Sequence, residues 1–128
     1  MVVAVDSSGS CDHAQNAFAK EISGVLSSFQ TKITTMYCDA KVYNVREYST
    51  DELPIKLEPQ GGGGTSFVPV FDYINKEGLQ PACLVYLTDL YGRFPNEEPD
   101  YPVLWISIIK DEVAPWGETV FMDLNRQV

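Results

Sequence analysis

Asp6, Ser8 and Ser10 stand at alternate positions in DSSGS, directly after the apolar run VVAV at residues 2–5. A carboxylate and two hydroxyls at this spacing could cap a helix, attack a substrate or hold a metal. In an extended or looping stretch, residues at i, i+2 and i+4 can point the same way. The three could therefore converge on one point. Two more small oxygen donors extend the set. Thr65 lies behind the glycines of GGGGTSF (61–67), and Asp89 directly follows the apolar run ACLVYLT (82–88). A hard divalent cation such as Mg2+ takes near-octahedral oxygens and keeps some of its water. Two carboxylates brought together repel unless a cation lies between them or one takes up a proton. The five side chains thus suit a metal site built from three separate segments. Each also has an ordinary explanation when taken singly. Asp6 and Ser10 could cap a helix, Asp89 could begin a turn, and Thr65 could be a plain loop residue.

The elements that must position these residues follow from periodicity. VVAV, ACLVYLT and PVLWISII (102–109) are continuous apolar runs, as expected of strands buried on both faces. Ala14, Ala17, Phe18, Ile22, Val25, Leu26 and Phe29 recur at helical spacing, with Ser10 as the expected N-cap and Asp12 in the first turn. Segments 31–38 and 41–48 read as strands flanking Asp39-Ala40, an antiparallel hairpin. Residues 49–60 read as a connection, and the glycines at 61–64 as backbone free to approach something closely. A short helix is expected over 67–77, with Pro69 in its first turn and Gly78 ending it. A turn through Pro115-Trp116-Gly117 leads to a last strand at 119–124. Apolar strands alternating with helices predict an α/β domain. Its sheet is doubly wound and mainly parallel, with one antiparallel edge strand and helices on both faces. In such sheets ligands bind outside the carboxyl ends of the strands, where the strand order reverses. Asp6 and Asp89 both fall at carboxyl ends.

Bulk properties set the bounds. The 128 residues suggest one domain, 1–128, and a start inside a core strand suggests that it was cut from a longer protein. Eighteen acidic residues against nine basic ones give a net charge of −9, which repels nucleic acid and anionic membrane surfaces. No stretch approaches the roughly 20 apolar residues of a membrane helix, and no basic region precedes the first apolar run. Cys11, Cys38 and Cys83 are odd in number and lack CxxC spacing, which argues against a disulfide framework or zinc cluster. That usage suits a reducing, cytoplasmic setting. Cys38 and Cys83 read as small core residues.

With its residues ordered this way, the chain resembles a von Willebrand factor A (VWA) domain carrying a metal-ion-dependent adhesion site (MIDAS). That family's pattern is DxSxS, a distant Thr and a distant Asp. It falls on Asp6, Ser8, Ser10, Thr65 and Asp89, and the order of elements fits along essentially the whole chain. The resemblance implies a Rossmann-like three-layer fold holding Mg2+, or Mn2+ or Ca2+. In that family the two carboxylates often act through water while the hydroxyls bind directly. The ion stays electrophilic, and a partner's Asp or Glu completes its shell. The implication is a protein-binding module, not a catalyst.

More narrowly, the compact length and the GGGGTSF loop resemble a VWA-like module at the C-terminal end of bacterial proteins of uncharacterised function, themselves similar to metallopeptidases. A neighbouring domain of the same chain or an AAA+ ATPase is then the expected partner, and regulation of the metallopeptidase an alternative role. Departures from the pattern are Cys11, where methionine is common, and TDLYG in place of TDG, which moves the glycine to Gly92.

A hydrolase is the competing reading. Asp6, His13 and Ser66 follow the Asp, His, Ser order of subtilisin-like proteases. Against it, CDHAQNA lacks the expected HGT, and HExxH, GxSxG and a P-loop lysine are all absent. Position alone nominates Cys11, Ser66, Phe67, Tyr91 and Arg93, with Ser7 and Leu90, for a partner-binding rim. Tyr91 and Arg93 are types enriched at binding hot spots.

Overall fold

The computed structural model describes residues 1–29, 32–49 and 65–123. The connection at 50–60, the glycines at 61–64, Leu124 and the side chains of Asp12, Val25, Leu26 and Phe29 lie outside the described residues. In chain order the elements are β1 (Val2–Asp6), a 3-10 helix (Gly9–Ala14), α1 (Gln15–Phe29), β2 (Ile33–Cys38), β3 (Val42–Tyr48), α2 (Val68–Lys76), β4 (Leu84–Thr88), β5 (Val103–Ser107) and β6 (Glu118–Phe121). Among the described residues these strands form one six-stranded sheet in the order β3-β2-β1-β4-β5-β6. β3 runs antiparallel to β2, and the remaining neighbours are parallel.

The expected doubly wound α/β architecture is thus present. β1 and β4 are buried along their whole lengths, which is why their sequences are apolar without alternation. Strand parity still sorts their side chains between two faces. Val3, Val5, Ile33, Tyr37, Val85 and Leu87 pack with Ala14, Ala17, Phe18 and Ile22 from the first helical segment. Val2, Ala4, Met36, Leu84, Tyr86, Val103 and Trp105 pack with Val70, Phe71 and Ile74 of α2.

Local chemistry sets the element ends. Pro69 sits in the first turn of α2, where its missing N–H costs nothing. The far end closes as a Schellman motif. Leu79 N donates to Ile74 O at 3.0 Å, and Gly78 N, at φ 66°, donates to Asn75 O at 3.2 Å. The β2–β3 turn spans three residues rather than the expected two. Asp39 Oδ1 accepts from both Ala40 N and Lys41 N, and Asp39 N donates to Lys41 O at 3.2 Å.

One expectation is corrected. Ser10 is not the N-cap of the first helix but an exposed residue inside a 3-10 turn, and the α-helix begins only at Gln15. Ser8 occupies the cap position without making a side-chain cap bond. Its hydroxyl is committed to Asp6 instead.

The face under α2 is aromatic. Trp105 is fully buried. Its ring stacks on Tyr86 at a centroid distance of 5.1 Å and meets Phe67 edge-on at 5.3 Å, Phe94 at 5.1 Å and Trp116 at 5.6 Å. Its indole N–H donates to Trp116 O at 3.1 Å. Such rings contribute contact area plus edge-to-face attraction. Replacing Trp105 with Ala is expected to cost about 3–5 kcal/mol. Phe121→Ala, at a position 43% exposed on the sheet edge, is expected to cost less than about 1 kcal/mol. Urea denaturation of the two variants checks the contrast.

Candidate metal centre

Asp6 ends β1 and Thr88 ends β4. The strands pair in parallel with Val5 beside Leu87, so Asp6 and Thr88 follow side by side on the α2 face. Register extends this row outward. Cys38 pairs with Asp6 on one side, and Ser107 pairs with Thr88 on the other. A line of four small polar or polarisable side chains, all buried, therefore crosses the carboxyl ends of the strands just above the aromatic layer. β1 and β4 are also where the chain reverses its direction across the sheet. From β1 it runs out to β2 and β3, and from β4 to β5 and β6 on the other side. This is the switch-point crevice at which doubly wound sheets bind ligands.

The Asp6 carboxylate is satisfied on both oxygens. Oδ1 accepts from Ser8 N at 2.9 Å and Ser8 Oγ at 2.5 Å, and Oδ2 accepts from Thr88 Oγ1 at 2.5 Å. Ser8 Oγ lies 3.1 Å from Ser10 Oγ. The turn after β4 is held by two consecutive side chains. Leu90 N donates to Thr88 Oγ1 at 3.1 Å, and Tyr91 N to Asp89 Oδ1 at 3.0 Å. Leu90 adopts φ 65°, a left-handed conformation that costs a non-glycine residue roughly 1–2 kcal/mol.

Asp6, Asp89 and Cys11 converge. One carboxylate oxygen from each aspartate and the Cys11 sulfur lie within 4.8 Å of one another, and all three residues are buried. Burial raises the Asp6 carboxyl above its ordinary range, and the Asp89 charge adds to the rise. The hydrogen bonds from Ser8 and Thr88 oppose it. Burial likewise pushes the Cys11 thiol up, reinforced by the charges of Asp6 and then Asp89. Two buried carboxylates beside neutral hydroxyls form a donor set that would suit a divalent cation, whose charge would offset their mutual repulsion. Asp6, Ser8, Ser10 and Asp89 offer hard oxygens, and Cys11 a sulfur.

Thr65 reaches the same edge of the sheet through its neighbours. Ser66 N donates to Asp39 O at 2.8 Å, just past β2. Phe67 N donates to Arg93 O at 2.9 Å, four residues past Asp89. β1 lies between β2 and β4, so these tethers hold the backbone of 65–67 beside the end of β1. Among the described residues no hydrogen bond joins the Thr65 hydroxyl to Asp6 or Asp89. Gly92 permits the approach. A Cβ there would fall 2.8 Å from Thr65 Cγ2 and 3.0 Å from the Phe67 ring.

The expected rim needs two corrections. Cys11 and Phe67 have no exposed surface. Cys11 is turned into the core beside Ala14 and Phe18, and Phe67 is the centre of an aromatic cluster with Tyr86, Phe94 and Trp105. Of the other candidates, Tyr91 and Arg93 are exposed, Ser66 and Leu90 are half-buried, and Ser7 is buried with no partner for its hydroxyl. Among the described residues no hydrogen bond joins Asp6, His13 and Ser66, the residues of the hydrolase reading. His13 is exposed on the 3-10 helix, and Ser66 Oγ accepts from Val68 N at 3.4 Å.

Sequence reasoning missed Thr88 as the donor to Asp6. It also missed Gln15, whose Nε2 donates to Asp6 O at 3.0 Å and Cys11 O at 3.2 Å, tying the helix start to the end of β1. A hydroxyl at the last position of a buried strand was the available signal for Thr88. A concavity of about 600 Å3 lies away from these donors. It lies between α2 and the residues leading into β4 and β5, lined by Asp72, Glu97, Glu98, Asp100 and Tyr101 among others.

The profile of a family described as VWA-like domain (DUF2201) matches residues 1–123. No curated protein matches the chain.

Thr88→Val keeps the shape of the side chain but removes the donor to Asp6 and the acceptor for Leu90 N. It is expected to cost about 1.5–3 kcal/mol at neutral pH, the range for a hydrogen bond to a charged group. Thr88→Ser, which keeps the hydroxyl, should cost about 1 kcal/mol or less. Urea denaturation in the presence of EDTA checks both.

Proposed function

The chain belongs to the VWA-like domain family (DUF2201), and we propose that it acts there as a divalent-cation-dependent protein-binding module whose partner supplies a carboxylate to the ion. The observation that carries this reading is the meeting of Asp6 and Asp89, from two separate strand ends, beside the Ser8 and Ser10 hydroxyls at the switch point of the sheet. Asp6, Ser8, Ser10 and Asp89 would hold Mg2+, or Mn2+ or Ca2+, in the MIDAS manner, with Thr65 joining from its tethered loop.

The ion supplies Lewis acidity toward an incoming Asp or Glu. The chain's own residues do the rest. Thr88 and Ser8 hold the Asp6 carboxylate in one orientation. The Leu90–Tyr91 turn orients Asp89. Exposed Tyr91 and Arg93 stand next to Asp89 in the chain, as residues that a partner surface would meet. Arg93 pairs naturally with a partner that brings acidic groups. Neutral hydroxyl ligands would leave a bound ion more of its charge for a partner's carboxylate.

The proposed partner is a neighbouring domain of the same parent chain or an AAA+ ATPase. The proposed setting is a metallopeptidase-like parent in the cytoplasm. The three cysteines are all free, which agrees with a reducing compartment. No helix among the described residues is long and apolar enough to cross a membrane.

Isothermal titration with Mg2+ or Mn2+ is expected to show one site, lost in Asp6→Ala. Unchanged binding in that variant would overturn the assignment. Pull-down with the domain is expected to recover its partner only in the presence of the cation. Recovery indifferent to EDTA would separate the ion from partner binding.

A further inference from the structure

Cys11 has no place in an oxygen-only ligand set, yet it sits within that set. It follows Ser10 directly in sequence, is fully buried, and its sulfur lies within 4.8 Å of both the Asp6 and the Asp89 carboxylate oxygens. Cys38 also lies near carboxylates, those of Asp6 and Asp39, but among the described residues it is Cys11 whose sulfur groups with both Asp6 and Asp89. We propose that Cys11 is a direct ligand in this centre, as a thiolate, and that the site accordingly prefers a borderline ion such as Zn2+ or Co2+ to Mg2+. This rests on the reading above that Asp6 and Asp89 hold a cation.

Three observations carry it. The first is convergence. The three donors come from the end of β1, the 3-10 helix and the turn after β4, and each is fixed by its own element. Cys11 N donates to Ser8 O at 3.0 Å, and Gln15 Nε2 donates to Cys11 O, so the backbone that carries the thiol is held on both sides.

The second is scale. Zinc-type ions bind sulfur at about 2.3 Å and carboxylate oxygen at about 2.0–2.2 Å. Donor atoms grouped within 4.8 Å reach those lengths by sub-ångström adjustment. Ser8 Oγ, which donates to Asp6 Oδ1 at 2.5 Å, is the candidate for a fourth donor.

The third is donor chemistry. Mg2+ gains nothing from sulfur, whereas Zn2+ and Co2+ bind mixed sulfur and oxygen sets well. A hydrophobic core needs volume at position 11, and methionine or alanine would serve. Beside two carboxylates the thiol stays protonated without an ion, and a bound cation would offset the charge of the thiolate it binds.

Binding forms a metal–sulfur bond, breaks the S–H bond and releases the proton to solvent. Two carboxylates and a thiolate carry more negative charge than the ion carries positive. The loaded centre therefore attracts a partner carboxylate less strongly than an oxygen-only shell would.

The test is a Co2+ titration of the EDTA-stripped 128-residue chain, read by electronic absorption, with Mg2+ and Zn2+ titrations by calorimetry alongside. The expected result is a thiolate-to-cobalt charge-transfer band in the near ultraviolet at one equivalent. Cys11→Ser and Cys11→Ala should lose the band and about 10–100-fold in Co2+ and Zn2+ affinity, with Mg2+ affinity changed less than about twofold. Circular dichroism establishes that both variants are folded. Co2+ or Mg2+ binding by the unmodified chain without the band would overturn the Cys11 assignment and leave the metal-binding reading standing. A band that survives in both variants would also overturn it. Failure to bind any of the three ions would overturn both readings together.

Discussion

A carboxylate buried at the end of a central strand governs this molecule. Asp6 has no exposed surface, and a charge taken out of water must be paid back by specific partners. Parallel register supplies one of them. Pairing β1 with β4 sets Thr88 beside Asp6, and the hydroxyl donates to one oxygen. Local geometry supplies the others, because Ser8 turns its backbone and side chain onto the second oxygen. The tight 3-10 start of the first helical segment follows from this. A serine that serves Asp6 is not free to cap, and the chain closes the turn with Cys11 N on Ser8 O instead.

The aromatic face under α2 acts on the same region from below. Phe67 is wholly buried among Tyr86, Phe94 and Trp105, so the chain immediately before it cannot wander. Backbone bonds from Ser66 and Phe67 to the segments beyond β2 and β4 then hold Thr65 at the carboxyl edge. The position of this threonine is decided by the packing of its neighbour two residues on and by the absence of a side chain at Gly92. Packing and polar geometry thus meet at one place, because the polar row (Thr88, Ser107) lies two residues above the aromatic row (Tyr86, Trp105) on the same strands.

Much of the fold was legible in the sequence. VVAV and ACLVYLT are apolar without alternation because both faces of their strands are covered, and this one fact implies a parallel sheet between helices. Pro69 and Gly78 mark the ends of α2 through backbone chemistry that acts within a few residues. Other readings failed for an equally definite reason. Ser10 had the residue type and position of an N-cap, but the competing demand of a buried carboxylate moved the helix start. Phe67 and Cys11 stood next to polar motifs in the chain, which suggested a rim. Their side chains are apolar enough to pack inward, and nearness in sequence says nothing about which way a side chain turns at a loop. Thr88 shows one sign of its role, a hydroxyl at the end of a buried strand, but the partner of that hydroxyl is fixed only by the neighbouring strand.

The sequence by itself determined the oxygen-rich composition of the site, the strand ends that carry Asp6 and Asp89, and the layered α/β class. These depend on periodicity and on residue chemistry, which act locally and can be read in one dimension. Only the tertiary structure decided that Asp6 faces Thr88, that Asp89 and the Cys11 sulfur close on the same point, and that Phe67 anchors the loop from within. Those pairings join residues up to 82 positions apart. They depend on strand order, register and facing, quantities that exist only once the sheet is assembled.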